Sequence, residues 1–131
     1  MKQFELWTAD LPVLKNTAMK VGRRPVIIVS DNSAITNPSL ISVVPLTKDR
    51  SSPQLPTHVL LCNRYLDYPS RALCEQVLTL DSSRLRRRIG FVEAPFDRFA
   101  INRALSLHLN LPFEQGIFFA EPPFYTPLHS A

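Results

Sequence analysis

The chain has 131 residues, of which 45% are hydrophobic and 20% are charged. This composition suits one folded domain with a single core and excludes a disordered tail. A net charge of +4 favours a polyanionic partner such as nucleic acid but does not require one.

The first half of the chain predicts short strands separated by proline-containing loops. Residues 5–11 alternate enough for a strand, and residues 11–24 read as a long loop. Residues 25–30 (PVIIVS) are a continuous β-branched run, typical of a strand buried on both sides. Residues 40–46 predict the next strand, in which Pro45 cannot donate a ladder hydrogen bond and therefore indicates an edge or a bulge.

The second half predicts three more strands, with a helical turn before the last one. Residues 58–62 form one strand, and residues 72–80 form another that carries Glu75 and Gln76 inside it. A short helical turn is expected to begin residues 82–88, followed by a last strand at 89–92.

A single helix is expected to close the domain. Pro95 suits the first helical position and Asp97 the first turn. Six apolar residues then follow at helical spacing and are expected to form one face of the helix. They are Phe96, Phe99, Ala100, Ala104, Leu107 and Leu111. Pro112 ends the helix. The fold class is mainly β with a C-terminal helix, a small antiparallel barrel over residues 1–112. Residues 113–131 form an aromatic and proline-rich extension, expected to pack on the domain or on a second copy of it.

Metal and membrane sites are not expected. Cys62 and Cys74 form no C-x-x-C pair and read as reduced core residues. His58, His108 and His129 have no partner at ligand spacing, so we expect neither a metal nor another cofactor. The N-terminus does not resemble a signal peptide and no apolar run could span a membrane, so the expected compartment is the cytoplasm.

Several polar residues are candidates for phosphate chemistry. Arg24 stands with Arg23 at the mouth of a buried strand, where a fixed guanidinium could stabilise a phosphorane, although a solvated strand-end arginine is the simpler interpretation. Thr47, at a strand end, could hold a phosphate oxygen or be an ordinary turn residue. A partly buried Glu75 would have a raised pKa and could act as a general base, whereas an edge strand with one wet face explains it equally well.

The densest run of charge lies near the end of the strands. Arg84 and residues 86–88 are most simply a solvated face, but in an RNA enzyme Arg86 and Arg87 could follow the phosphate backbone. Trp7 is expected in the core rather than as a platform for base stacking.

Five segments resemble the MazF/PemK family of toxin–antitoxin endoribonucleases, in the family's order and near its spacing. They are LWTADL at 6–11, GRRPVIIVS at 22–30, VVPLT at 43–47, PTHV at 56–59 and LCEQVLTLD at 73–81. The resemblance implies a homodimer of SH3-like barrels that binds single-stranded RNA. It also implies cleavage without metal, leaving a 2′,3′-cyclic phosphate and a 5′-hydroxyl, and inhibition by a small acidic antitoxin protein.

The resemblance assigns roles residue by residue. The arginine before the family's proline matches Arg24, its strand-end threonine matches Thr47, and its acidic–Gln pair matches Glu75 and Gln76. These imply Arg24, Thr47 and Glu75 as catalytic residues. The expected RNA-binding residues are Gln76, Arg23, Lys48, Asn16, Thr17, Arg86 and Arg87.

The chain departs from the family pattern, which keeps two alternatives open. It lacks the usual R-G before the first strand, and Asn16 and Thr17 stand where the family carries a loop glutamate. One alternative is a catalytically inactive relative that binds only RNA or its antitoxin. The other is a poison of DNA gyrase like CcdB, which has a similar architecture but ends in a tryptophan that this chain lacks.

Overall fold

A computed structural model describes residues 1–13, 15–35 and 40–113 of the chain. These residues form an antiparallel β-sheet and one C-terminal α-helix, which confirms the expected fold class. The strands are β1 (Glu5–Leu11), β2 (Gly22–Ile28), β3 (Leu40–Thr47), β4 (His58–Leu61), β5 (Ser70–Leu73), β6 (Leu78–Asp81) and β7 (Leu85–Phe91), and the helix is α1 (Pro95–Leu109).

The sheet has the order β4-β5-β3-β2-β1-β7, and β6 also pairs with β3. On one side β3 pairs with β2, and on the other side it pairs with β6 through Val43 and with β5 from Leu46 onward. The change of neighbour brings the ends of β2, β3 and β5 together at one corner of the sheet. The candidate site lies at this corner.

Pro45 lies in a central strand, so the expectation of an edge position is wrong. The carbonyl of Ser42 accepts from Val29 N–H at 2.9 Å, so Ser42 faces the β2 side of its strand. Because successive residues of a strand point their N–H groups to opposite sides, the nitrogen of Pro45 faces the other side. There the neighbour changes from β6 to β5, and the missing donor costs no ladder bond.

The two faces of the sheet bury separate clusters of apolar side chains. In β2, Val26 and Ile28 belong to one cluster and Ile27 to the other, and all three are fully buried. This confirms a strand buried on both sides for residues 26–28, whereas Val29 and Ser30 of the expected strand lie beyond its end. The cluster of Ile27 also contains Ile101 and Ala104 of α1, so the helix covers that face of the sheet.

Four details of the sequence-based picture change in the structure. β2 begins at Gly22, so the expected loop ends earlier and both Arg23 and Arg24 lie within the strand. Cys62 is exposed although Cys74 is buried. Phe96 and Leu107 are 72% and 52% exposed and do not belong to the buried face of α1, and Leu111 is 56% exposed and lies beyond the end of the helix. Trp7 is half-buried and packs at the margin of the second cluster.

The expected strand at 72–80 is interrupted, which corrects the placement of the acidic–Gln pair. Residues Cys74–Gln76 form one turn of 3₁₀-helix between β5 and β6. β5 pairs with one end of β3 and β6 with the other, so the chain must step along β3 between them. The turn makes this step, and it points Glu75 and Gln76 into one cavity rather than to opposite faces of a strand.

The last strand is longer than expected. Ser82–Arg84 forms the anticipated helical turn, capped by Asp81, and β7 then runs from Leu85 to Phe91. The basic residues 86–88 therefore lie in a strand beside β1. The helix begins with Pro95 and ends before Asn110, which takes a left-handed backbone conformation.

Of the expected extension at 113–131, only Phe113 belongs to the residues that the structure describes. Phe113 itself packs against Phe99 of α1, with ring centroids 5.1 Å apart. In the described part of the chain, no helix is both long enough and apolar enough to cross a lipid bilayer.

Candidate active site

Three surface cavities follow one another from the corner of the sheet where β3 ends and β2 and β5 begin. The first, here called the carboxylate pocket, has a volume of about 360 Å³ and contains Thr47 and Glu75. The second, the arginine pocket, has about 310 Å³ and contains Arg24 together with Thr47. The third, the basic pocket, has about 430 Å³ and contains Arg86 and Arg87. The first and second cavities share the lining residue Thr47. The second and third share four lining residues, which are Arg23, Pro25, Leu66 and Asp67.

Arg24 is held in a fixed position in the arginine pocket. Its Nε donates to the carbonyl of Val21 at 3.3 Å, and its Nη1 donates to the carbonyl of Leu46 at 3.2 Å. Partial burial lowers the pKa of Arg24 from its ordinary value, but an arginine remains protonated under all physiological conditions. The result is a permanent cation beside the end of β3, with donors left for an anion.

Thr47 lies on the same face of the sheet as Arg24. Its Oγ1 accepts the backbone N–H of Asp49 at 3.1 Å, which fixes the side chain and leaves its own hydroxyl hydrogen available to donate. The side chain is 9% exposed and lies at the boundary of two cavities. The structure thus brings together Arg24 and Thr47, as expected from the sequence.

Two side chains bind the carboxylate of Glu75, which lines the carboxylate pocket. Oε1 accepts from Thr57 Oγ1 at 2.9 Å, and Oε2 lies 3.0 Å from His58 Nε2. Leu55 N–H donates to His58 Nδ1 at 3.1 Å, so the hydrogen of the neutral ring is on Nε2 and is donated to Glu75. Thr57 and His58 therefore hold the carboxylate in one orientation.

The pKa of Glu75 is lowered, so the expectation of a raised pKa is wrong. Burial alone would raise it, but hydrogen bonds from the backbone N–H of Glu75, from His58 and from Thr57 together outweigh that effect. Glu75 is therefore ionised at neutral pH and is a weak base. It lines the pocket with Thr47 but does not line the arginine pocket.

Of the other expected RNA-binding residues of this region, Gln76 and Lys48 line a cavity, whereas Asn16 and Thr17 do not. Gln76 lines the carboxylate pocket, but its Oε1 already accepts Lys20 N–H at 2.7 Å and so positions the 17–20 loop. Asn16 and Thr17 are exposed and line none of the three cavities. Lys48 lines the arginine pocket, with its Nζ 4.9 Å from the ring centroid of Tyr68.

Charge in the basic pocket is partly neutralised. Asp10 forms ion pairs with both Arg23, at 2.7 Å, and Arg86. These two arginines hold the pKa of Asp10 down, to about 2. Within the described ranges Arg87 has no acidic partner, so it is the residue of this set with an uncompensated charge.

Two residues at the site were not singled out from the sequence. Asp67 lines the arginine pocket with Arg24 and Thr47, and it is exposed. Arg71 is 8% exposed and lines the carboxylate pocket, directly opposite Thr47 in the β3–β5 register. A charged residue in the apolar segment RALC was a usable signal for Arg71. Asp67 lies in a loop, where nothing in the sequence distinguishes it.

Metal ligands do not cluster in the described ranges. No group of three or more histidine, cysteine, aspartate or glutamate side chains that could hold an ion occurs in residues 1–13, 15–35 and 40–113.

Comparison with known proteins gives one family and several similar structures. Residues 2–109 match the family model described as a PemK-like, MazF-like toxin of type II toxin–antitoxin systems. A relative from Staphylococcus saprophyticus subsp. saprophyticus, named endoribonuclease MazF, is 27% identical over 113 residues, which cover 85% of this chain and 92% of that protein. A Staphylococcus epidermidis protein of the same name is 26% identical over 113 residues, with the same coverage.

Solved structures agree with the fold. A mycobacterial endoribonuclease in complex with its cognate antitoxin superposes with a TM-score of 0.71 at 25% identity, over 87% of this chain and 99% of that one. The Mycobacterium tuberculosis toxin MazF-mt6 has a TM-score of 0.68 at 23% identity, over 83% of this chain and 99% of that one.

Proposed function

Because the chain belongs to the PemK-like, MazF-like toxins of type II toxin–antitoxin systems, we propose that it is an endoribonuclease that cuts single-stranded RNA at the junction of its arginine and carboxylate pockets. The observation that carries this proposal is the placement of Arg24 beside Thr47. A fixed cation and a fixed hydroxyl donor line one cavity, and both face the same side of the sheet.

The reaction follows from the charge that develops during cleavage. The ribose 2′-oxygen attacks the adjacent phosphorus, and the P–O5′ bond breaks. The products are a 2′,3′-cyclic phosphate and a 5′-hydroxyl, whose oxygen takes a proton from water. Arg24 neutralises the extra negative charge of the phosphorane, and the Thr47 hydroxyl donates to a non-bridging oxygen. Because Arg24 provides this charge, cleavage is expected to continue in a chelator.

The proton of the 2′-hydroxyl goes to Asp67 in this proposal. Asp67 is the carboxylate that shares the arginine pocket with Arg24 and Thr47, as far as the described residues extend. Glu75, assigned as the base from the sequence, is ionised, bound by two donors and placed in the neighbouring cavity. We therefore assign Glu75 to binding the RNA rather than to accepting the proton.

The three cavities suggest a path for the RNA chain. Arg23, Arg86 and Arg87 line the basic pocket, and guanidinium groups suit a phosphate backbone. Family membership supports two further parts of the proposal, a homodimer and a small acidic antitoxin that covers this basic surface. We propose that the protein acts in the cytoplasm, where its RNA substrate and such an antitoxin would be found.

Purified protein incubated with a long RNA in excess EDTA tests the function. Mapping of new 5′ ends should give discrete cuts whose ends accept phosphate from a polynucleotide kinase without prior phosphatase treatment. A digest that stops with EDTA and resumes with a divalent ion would contradict the mechanism. RNA that stays intact under every condition would contradict the function.

A further inference from the structure

Arg71 is a buried arginine that the proposed cleavage does not use. Its Nη1 donates to the carbonyl of Ser52 at 2.8 Å and its Nη2 to that of Arg50 at 3.4 Å, while its Nε is buried without a hydrogen-bond partner. A guanidinium has five N–H donors, so two are satisfied here and three are not. Burying such a group without full pairing costs stability, which a ligand in the pocket would offset.

The pocket beside Arg71 has balanced charge. Lys20 and Arg71 contribute two positive groups, and Asp49 and Glu75 contribute two negative ones. A phosphate group there would approach two carboxylates. A nucleobase, which is neutral and presents donors and acceptors along one edge, suits this lining better. A volume of about 360 Å³ accommodates a single base.

The two sides of the pocket differ in hydrogen-bonding capacity. Arg71 offers only donors. Glu75 offers only acceptors. Thr57, His58 and the backbone N–H of Glu75 occupy three of the four lone pairs of its carboxylate, so one is available. No ion pair joins Arg71 to Glu75 in the described part of the chain, so neither group satisfies the other.

We propose that the carboxylate pocket selects a keto base, guanine or uracil, through Arg71 and Glu75. This rests on the proposed function. Guanine and uracil each present a carbonyl oxygen next to a ring N–H. Arg71 donates to the carbonyl, and Glu75 accepts the ring N–H. Adenine and cytosine place an amino donor where the carbonyl would be, and that donor faces the donors of Arg71.

The position of the selected base follows from the shared residue Thr47. The carboxylate pocket and the arginine pocket both contain Thr47, so the base belongs to a nucleotide next to the cut phosphate. A good base contact of this kind discriminates by roughly 5- to 150-fold against the wrong base. Arg71 is thus a specificity-determining residue.

Wild-type protein and RNA analogues test the proposal without altering the fold. Mapped cuts should show guanine or uracil enriched at one position beside the cut. For guanine, inosine, which keeps the carbonyl and ring N–H, should be cleaved normally, whereas 2-aminopurine should be slowed roughly 5- to 150-fold. For uracil, 5-methyluracil should be cleaved normally and 2-pyrimidinone slowed. Enrichment of adenine or cytosine at both flanking positions, or no preference there, would overturn the proposal.

A variant separates recognition from a merely structural role. Folded Arg71→Met should lose the preference at that one position while keeping any preference elsewhere, and Arg71→Lys should keep part of it. A structural role would slow all cuts alike and leave the preference intact, which would contradict the assignment. If Arg71→Met does not fold, the analogue series decides.

A failure of the proposed nuclease function would give a different result. If the wild-type protein cuts no RNA, only the nuclease proposal is contradicted. In that case anisotropy with short oligonucleotides that differ in a single base measures recognition directly. Tighter binding to guanine or uracil would support the pocket assignment, and equal binding to all four bases would overturn it.

Discussion

At the scale of single residues, Arg24 is the proposed stabiliser of the phosphorane because backbone carbonyls, rather than a carboxylate, hold its guanidinium in place. The carbonyls of Val21 and Leu46 orient the guanidinium without neutralising it. Removing a comparable charge-stabilising donor from other enzymes slows catalysis roughly 100- to 1,000-fold. We therefore expect Arg24→Ala to slow cleavage by at least about 100-fold, measured as the single-turnover rate on a mapped substrate.

The matched control is Arg64→Ala. Arg64 is 69% exposed, pairs with Glu93 and lines none of the three cavities. It should cleave at the wild-type rate. Equal rates for wild type, Arg64→Ala and folded Arg24→Ala would remove Arg24 from the mechanism.

Asp67 provides the second test at this scale. General-base catalysis typically contributes about 100- to 10,000-fold, so Asp67→Asn should slow cleavage within that range and leave RNA affinity nearly unchanged. Glu75→Gln should behave in the opposite way, weakening RNA binding more than the rate of the bound complex. A larger rate loss for Glu75→Gln than for Asp67→Asn would return the base to Glu75.

Which residues could be chosen from the sequence depended on local motifs. Arg24 precedes Pro25, and Thr47 follows Pro45 by two residues. These patterns alone favoured ordinary strand-end residues, and only their match to the family's motifs selected Arg24 and Thr47. Arg71 and His58 act through partners across the sheet. Their roles depend on the β4–β5 and β3–β5 registers, which no short motif specifies. The pKa of Glu75 likewise depends on Thr57 and His58, which are distant in sequence.

At the scale of elements, β1 controls the charge of the basic pocket. Asp10 of β1 binds both Arg23 of β2 and Arg86 of β7. In Asp10→Asn the two arginines become available for phosphate, so RNA should bind more tightly at low salt. The plot of log affinity against log salt should steepen by about 0.7 for each added phosphate contact. An unchanged slope would mean that RNA does not reach this surface.

The same carboxylate makes stability depend on pH. The pKa of Asp10 falls from 3.8 to about 2 in the folded protein. A depressed pKa means that the stabilisation is complete above the unfolded value and is lost as pH falls toward the folded one. Urea midpoints of wild type should therefore drop between pH 4 and pH 2 more than those of Asp10→Asn. Parallel curves for the two proteins would contradict the pairing.

Close packing of β7 gives a prediction about stability. A Cβ at Gly90 would lie 2.2 Å from Tyr65 Cγ, so the ring would have to move. Tyr65 is packed against Phe91, with centroids 5.4 Å apart. Gly90→Ala should lower the free energy of unfolding by about 1–3 kcal/mol. In a double-mutant cycle with Tyr65→Ala, the two effects should be less than additive. Additive losses would mean that the ring is not the obstacle.

Strand existence was easier to predict than strand boundaries. The apolar runs of β2 and β3 are buried on both faces, so their signal is strong. The interruption at Cys74–Gln76 has no signal of its own, because it follows from β5 and β6 pairing with different ends of β3. Residues 72–80 look like one strand because β5 and β6, on either side of the turn, are both apolar and packed. The apolar pattern does not show that the strand is continuous.

For the whole molecule, the arrangement of the site follows from one sheet with two packed faces. The helix covers one face, and the ends of β2, β3 and β5 present Arg24, Thr47 and Arg71 beside the other cluster. The strands therefore hold the proposed catalytic cation, the proposed hydroxyl donor and the proposed base-binding arginine in fixed positions relative to one another. Cleavage at a chosen sequence requires this coupling of chemistry and recognition.

The most direct test of this account replaces a single 2′-hydroxyl. In an oligoribonucleotide carrying the mapped cut site, one deoxynucleotide is placed on the 5′ side of the cut phosphate. The account predicts that binding is retained and that cleavage at this phosphate is abolished, because the attacking oxygen is missing. Cleavage of the deoxy-substituted substrate at the same phosphate would contradict the account, because the nucleophile would then have to be water or a protein side chain.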